Sequence, residues 1–252
     1  LSDISYLAIE AGSRAGIPTI GLCSLSWDQV LAHFLGKDQN EPPRLLQQIT
    51  RSYGMVDLMI RPAPGMVLPA FRKVVDIGPI AGPIVQDKLS LRRAVNAAPT
   101  ERVVVVGFGG VPLESLPFKR LSRMNGYRFV VWGPSSANQD RVISASSIPL
   151  PFRTLLASAD ILVTKPGYST IVEAVASSTP VIYVRRYNFA DEDSLASYLH
   201  RYGRGTELLE ADFHAGRWEQ ALEAVLKIPE PRETPPFQTG ATDAAKILAN
   251  YL

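Results

Sequence analysis

The feature that most constrains the fold is the alternation of short apolar runs with helical segments in the second half of the chain. Residues Arg102–Val106 include four consecutive valines, which is typical of a strand buried on both faces of a parallel sheet. Further strands are predicted at Tyr127–Trp132, Ile161–Thr164 and Pro180–Val184, with helices between them. Strands that alternate with helices form right-handed βαβ units, so we expect an α/β protein with doubly wound, Rossmann-like sheets.

The first half of the chain shows the same alternation more weakly. Two strands, Thr19–Cys23 and Val56–Ile60, stand among helices and are too few for a sheet of their own. A brief strand at Lys73–Ile77 leads into a segment rich in proline and glycine, which breaks both helix and strand and indicates an interdomain crossing. We therefore expect two domains, 1–77 and 78–252. The first is expected to be incomplete, because the chain begins without Met and runs straight into a helical pattern.

Composition excludes several functional classes. The chain has 252 residues, 46% of them hydrophobic, and a formal net charge of +2, which is ordinary for a globular protein and argues against a nucleic-acid binder. It contains no apolar run of the ~20 residues that span a bilayer and no signal peptide, so we expect a cytoplasmic protein with at most peripheral membrane association. Cys23, the only cysteine, excludes an intramolecular disulfide and is expected to be a buried, inert thiol. His33, His200 and His214 are widely separated, and no metal site is predicted.

A glycine-rich turn follows the valine strand at residues 107–110. Ligands of open α/β sheets bind beyond the carboxyl ends of strands, where Gly109 and Gly110 would let backbone N–H groups approach a phosphate closely. A tight strand-to-helix connection without a ligand is an equal alternative. The turn lacks the spacing of a dinucleotide fingerprint and the Gly-Lys-Ser/Thr of a P-loop, which argues against a P-loop nucleoside triphosphatase.

A second turn, after the strand that ends at residue 164, is more informative. The turn contains Lys165 and Gly167, and the helix that follows brings N–H groups and the hydroxyls of Ser169 and Thr170 to its start, which suits a diphosphate. Glu173 lies one turn further, where a carboxylate can accept hydrogen bonds from two ribose hydroxyls. The alternative is a capping box, because Thr170 precedes Glu173 by three residues.

The segments 165–174 and 178–184 resemble the C-terminal donor-binding domain of GT-B glycosyltransferases. The shared pattern is Ala-Asp, an apolar strand, a Gly, a Thr, Glu-Ala and a Pro, and this chain fits it from Ala159 to Pro180. The group with the bacterial N-acetylglucosaminyltransferase of peptidoglycan synthesis is similar, as is the glycosyltransferase-like module of plant arabinokinases. The resemblance extends to residues 76–80, to the turn at Phe108–Gly110 and to residues 2–6 and 15–18.

This resemblance implies a metal-independent transfer of a sugar from a nucleoside diphosphate, of the UDP type, to an acceptor, with no cofactor besides the donor. Glu173 would then hold the ribose. The residues that would surround the diphosphate or line the cleft facing it are Gly109, Gly110, Gly167, Ser169 and Thr170. Family members carry an acidic residue followed by Gln at the donor sugar; here the segment reads Asp191-Glu192-Asp193, so Asp191 and Glu192 are the candidates for sugar contact.

Cationic side chains at two places in the chain are candidates for binding the diphosphate, from their position alone. Arg185 and its neighbour Arg186 follow a strand end, where a guanidinium would neutralise a diphosphate leaving group without metal. Lys165 has a similar claim in its turn. Solvated side chains on a loop are the alternative for both positions.

The catalytic base is not visible in the sequence. In such glycosyltransferases a glycine-rich turn, often Gly-x-Gly-His, follows the first strand, and its histidine or a nearby acid commonly acts as the base. No such turn occurs in residues 1–75, so we expect that an upstream segment is missing or lost. Two other functions stay open, a non-hydrolysing sugar-nucleotide epimerase and a non-catalytic nucleotide- or sugar-binding module. The final predicted helix, 240–252, either crosses back onto the first domain or forms a dimer contact.

Overall fold

The computed structural model describes residues 1–36, 43–108, 116–132, 140–187 and 189–251. The chain divides into two compact units, the first made of Leu1–Ala81, Tyr187–Leu195 and Pro236–Leu252, the second of Gly82–Arg186 and Ala196–Pro235. The division differs from the predicted domains of 1–77 and 78–252. It falls after Ala81, and two later segments belong to the first unit because their contacts lie there.

The first unit is built on a three-stranded parallel sheet. Its elements are β1 (Ile20–Leu22), β2 (Leu58–Pro62), β3 (Val74–Ile77), α1 (Tyr6–Arg14), α2 (Trp27–Leu35), α3 (Arg44–Tyr53) and α11 (Gly240–Leu248), and the strand order is β1-β2-β3. The expectation that this half holds too few strands for a sheet was wrong. β3 pairs with β2 from Met59–Val74 to Pro62–Ile77 and supplies the third strand.

Helices cover this small sheet with apolar side chains. The ring of Tyr53, at the end of α3, stacks on Phe71 with 4.8 Å between ring centroids. α11 contributes Ala244 to a buried cluster with Ile60 and Ile77, so the last helix packs within the first unit. This helix ends at residue 248 and continues as a 3-10 turn to residue 251, which is shorter than the predicted helix 240–252.

The second unit is a six-stranded parallel sheet. Its strands are β4 (Arg102–Val106), β5 (Tyr127–Val131), β6 (Val142–Ser144), β7 (Ile161–Thr164), β8 (Val181–Tyr183) and β9 (Gly205–Glu207). Its helices are α4 (Lys88–Ala94), α5 (Phe118–Leu121), α6 (Phe152–Ser158), α7 (Tyr168–Ala176), α9 (Glu210–Ala215) and α10 (Glu219–Lys227), while α8 (Glu192–Tyr202) begins in the first unit and ends in this one. The predicted α/β class with parallel, Rossmann-like sheets is confirmed.

The order of the six strands creates a point of reversal. The order is β6-β5-β4-β7-β8-β9, so the chain moves outward from β4 to β6 and then returns to the other side of β4 with β7. The valines of β4 are at most 1% exposed, as expected for the centre of a sheet covered on both faces. In such sheets ligands bind beyond the carboxyl ends of the two strands at the reversal, here β4 and β7.

The Ala-Asp that begins the recognised motif has a structural role at the opposite, amino edge. Oδ2 of Asp160 accepts a hydrogen bond from the N–H of Val103 at 2.8 Å and one from Arg92 at 3.3 Å. The bond from Val103 ties the start of β7 to the start of β4, the two strands that form the reversal point, and the bond from Arg92 ties it to α4.

Candidate functional site

The carboxyl ends of β4, β7 and β8 lie side by side in the second unit. The N–H of Gly107, just past β4, donates to the carbonyl of Val163 at 3.0 Å, and the N–H of Val184 donates to the carbonyl of Thr164 at 2.9 Å. The turns that follow these strands therefore emerge at one edge of the sheet. Gly109 and Gly110, predicted to line this edge, lie outside the described residues.

The turn after β7 leads directly into α7. Gly167 is the N-cap of the helix, in an extended conformation with φ −138° and ψ 137°, and no side chain caps the first turn. Ser169 is exposed and Thr170 half-buried in that turn. The first turn thus has the partial positive charge and the N–H donors with which helix N-termini bind anions.

A lysine ammonium lies over the same turn. Nζ of Lys165 is 3.7 Å from the position that a Cβ on Gly167 would occupy. The structure therefore places the Lys165 ammonium beside Gly167, at the start of the helix that carries Ser169 and Thr170 in its first turn. The absence of a Cβ at Gly167 keeps the backbone open to a close approach.

Glu173 lies inside this helix and does not form a capping box. Because α7 begins at Tyr168, with Gly167 as its cap, the Glu173 side chain falls beyond the first turn and cannot reach the cap residue. Its carboxylate is only 7% exposed, and Oε1 accepts a hydrogen bond from Nε of Arg153 at 2.7 Å. Oε2 accepts no hydrogen bond within the described part of the chain.

Arg153 belongs to the surroundings of Glu173, and sequence patterns do not predict it. It stands in the first turn of α6, and its side chain is 42% exposed at the ion pair with Glu173. A Cβ built on Gly82 would overlap Nη1 of Arg153, so the glycine makes room for the guanidinium. The pair is distant in sequence, which is why no local motif indicates it.

Arg185 and Arg186 follow β8, the neighbour of β7. Both side chains are half-buried. Arg185 thus lies in the second unit, after a strand that ends at the same sheet edge as β7.

Asp191 and Glu192 stand at the start of α8, in a segment of the first unit. The carbonyl of Asp191 accepts hydrogen bonds from Ser194 Oγ at 2.8 Å and from the N–H of Leu195 at 3.1 Å. Both acidic side chains are buried, and Glu192 accepts a hydrogen bond from the N–H of Tyr187 at 3.1 Å. These two acids belong to the first unit, whereas the turn after β7 belongs to the second.

Cys23 lies at the end of β1, beside Asp3. The side chain is half-buried rather than buried as predicted. Burial, as the largest cause, and the Asp3 carboxylate together raise the pKa of the thiol to about 11. The thiol therefore stays protonated at neutral pH, which agrees with an inert side chain.

Two broad features concern the described ranges only. None of their helices is long and apolar enough to cross a membrane. Nor do three or more His, Cys, Asp or Glu side chains come together there as ligands for a metal ion.

Comparison with known proteins yields one distant sequence relative. No protein-family model matches the chain. An L-arabinokinase of Arabidopsis thaliana is 26% identical over 255 residues, an alignment that covers 100% of this chain and 24% of the relative. The chain thus spans about a quarter of the length of that curated relative.

Solved structures resemble the chain over almost its whole length. A calicheamicin glycosyltransferase superimposes with a TM-score of 0.64 at 16% identity, covering 96% of this chain and 69% of its own. The glycosyltransferase of kitacinnamycin superimposes with a TM-score of 0.64 at 16% identity, covering 98% of this chain and 74% of its own. A UDP-glucose:anthocyanidin 3-O-glucosyltransferase in complex with UDP superimposes with a TM-score of 0.59 at 12% identity, covering 97% of this chain and 69% of its own. The chain therefore has the GT-B glycosyltransferase fold that its sequence predicts.

Proposed function

We propose that this chain binds a nucleoside-diphosphate sugar, of the UDP type, and transfers the sugar to an acceptor. The observation that carries the proposal is the start of α7, where an uncapped helix N-terminus, Lys165 and the buried Glu173 lie together beyond the carboxyl end of β7. A helix N-terminus and an ammonium group bind a diphosphate. A carboxylate about one turn further along the helix can accept hydrogen bonds from the ribose hydroxyls.

Glu173 is proposed to hold the ribose. Arg153 fixes one oxygen of its carboxylate, while the other accepts no hydrogen bond within the described residues. A carboxylate oxygen has lone pairs for two donors, so Oε2 can accept from both ribose hydroxyls. Fixing the carboxylate in advance lowers the entropy that binding would otherwise cost.

The diphosphate is proposed to be bound by the first turn of α7, Ser169, Thr170, Lys165 and Arg185. Negative charge grows on the diphosphate as the sugar bond breaks, and preorganised N–H donors and cations stabilise that charge. These groups supply the charge compensation that a metal ion gives in other enzymes. We therefore propose a transfer that requires no metal and no further cofactor.

Asp191 is the preferred candidate for contact with the donor sugar. The neighbouring Glu192 carboxylate already accepts the Tyr187 N–H and is completely buried, so its first role is to hold the segment that precedes α8. Acidic side chains bind sugar hydroxyls as acceptors. The resemblance to GT-B enzymes supports an acid at this place in the sequence.

A donor screen by isothermal titration calorimetry tests the proposal. UDP and UDP-sugars should bind more tightly than dTDP- or GDP-sugars, and Glu173→Gln should weaken UDP binding about tenfold or more. Glu233→Gln, which removes an exposed acid paired with Arg201, is the matched control and should bind like the wild type. Failure of every nucleotide to bind, or equal binding by Glu173→Gln, would contradict the proposal.

A non-catalytic binding module is the second candidate. It is favoured by the relative's name, since an L-arabinokinase is a kinase and the chain matches only 24% of its length. Release of UDP from a UDP-sugar distinguishes the two functions. Tight binding without release, in the chain and in the longer protein that contains it, would support the module.

A further inference from the structure

A cavity in the first unit shares no lining residue with the proposed donor site. It has a volume of about 490 Å³, which is within the range of small-molecule sites. Two helices and one loop form it, and most of its exposed wall is apolar. Its lining includes Asp28 and Ala32 of α2, Leu46 and Arg51 of α3, and Pro69 and Ala70 of the loop before β3.

The carboxylate of Asp28 in this cavity lacks the partners that a buried charge needs. Asp28 is 1% exposed, and Oδ2 accepts one hydrogen bond, from Nε2 of Gln29 at 3.1 Å. Oδ1 is buried and accepts none, and no ion pair of Asp28 occurs within the described residues. An ionised carboxylate has about four acceptor sites, so most of its capacity is unused.

The helix dipole does not account for this arrangement. Asp28 is in the first turn of α2, where a negative charge is favourable, but an exposed acid would gain the same interaction. The N-cap residue Ser26 adds to the problem, because its buried hydroxyl also has no hydrogen-bond partner and does not cap the helix. A buried carboxylate without a cation is unfavourable unless something else supplies the donor.

We propose that this cavity binds a small organic ammonium ion with an apolar body. The ammonium would bind Asp28, with a modest rotation of the side chain, and Ala32, Leu46 and Pro69 would contact the apolar part. A nucleotide or another anion would be repelled by the buried carboxylate, so the site is distinct from the proposed donor site. Arg51 is exposed, and water screens its charge from the ligand. The proposal does not depend on the proposed glycosyl transfer.

An amine and its neutral isostere test the charge requirement. With the full chain, 2-phenylethylamine and 2-phenylethanol are titrated while backbone amide shifts are followed by NMR. The amine should bind about tenfold more tightly than the alcohol, with shift changes concentrated in α2 and α3. Asp28→Asn should remove this preference, and Ala32→Leu, which fills the cavity, should weaken both ligands.

Asp76→Asn is the matched control, because it neutralises an exposed acid of the same unit that lies outside the cavity and pairs with Arg61. It should leave amine binding unchanged. Equal affinity for amine and alcohol, no binding of the amine at millimolar concentration, or shift changes elsewhere in the chain would each overturn the proposal. The comparison of the two ligands on the wild-type chain holds even if a variant fails to fold.

Discussion

Replacing Arg153 by Gln should destabilise the second unit more than replacing its partner Glu173 by Gln. The Glu173 carboxylate is 7% exposed and receives Nε of Arg153 at 2.7 Å, whereas the Arg153 side chain is 42% exposed. Arg153→Gln leaves a buried charge without its cation. Glu173→Gln leaves a guanidinium that water can solvate.

The exposures set the size of the two effects. Removing one partner of a fully buried ion pair costs about 3–5 kcal/mol. Because solvent reaches Arg153, we expect Arg153→Gln to lower the free energy of unfolding by about 2 kcal/mol. This corresponds to a Tm lowered by about 4–8 °C in a chain of this length. Glu173→Gln should lower the free energy of unfolding by less than about 1 kcal/mol, because the Arg153 guanidinium that loses its partner is exposed to water.

Thermal unfolding of four proteins measures this asymmetry: the wild type, both single variants and the double variant Arg153→Gln/Glu173→Gln. The double variant should be no less stable than Glu173→Gln alone, because the buried charge is gone. Arg201→Gln, from an exposed pair with Glu233, is the control and should leave Tm unchanged. Equal losses from the two single changes, or additive losses in the double variant, would refute the reasoning.

Three further outcomes are expected. The pKa of the Glu101 carboxyl is lowered to about 2, chiefly by the Ala98 N–H and also by two arginines. Its contribution to stability is therefore present above about pH 4.5 and is lost as the pH falls towards 2. In thermal melts from pH 5 to pH 2.5, the Tm of Glu101→Gln should fall less than that of the wild type. Gly167→Ala should keep its Tm, because the new Cβ meets Lys165 Nζ at 3.7 Å and the Lys165 carbonyl oxygen at 4.0 Å, both ordinary contact distances. It should weaken UDP binding in calorimetry by crowding the helix N-terminus. Asp28→Asn should raise Tm, because it removes a buried charge that lacks a cation, and a lower Tm would contradict that view of the cavity.

Local patterns in the sequence predict the central elements well. The predicted bounds of β4 and β7 are those of the structure, because four consecutive valines and a short apolar run are properties of adjacent residues. β6 and β9 were not predicted. Each has three residues, too few for a period, and each becomes a strand only through pairing with its neighbour.

The site shows the same division between local and distant information. The turn at Lys165 and Gly167 was predicted from the residues that follow one strand, and the structure brings them together. Arg153 was missed because its pairing with Glu173 depends on how α6 packs on α7, twenty residues further along the chain. The capping-box alternative for Thr170 depended on where α7 begins, and the sequence does not specify that to within one turn.

The most direct test of the central claim compares two nucleotides that differ only in the ribose. Calorimetry with UDP and 2′,3′-dideoxy-UDP should show that the wild-type chain prefers UDP about tenfold or more, because the Glu173 carboxylate accepts from both hydroxyls. Glu173→Gln should bind the two nucleotides within about twofold of each other. Equal binding of both nucleotides by the wild type would contradict a ribose site at Glu173 and the proposed donor site with it.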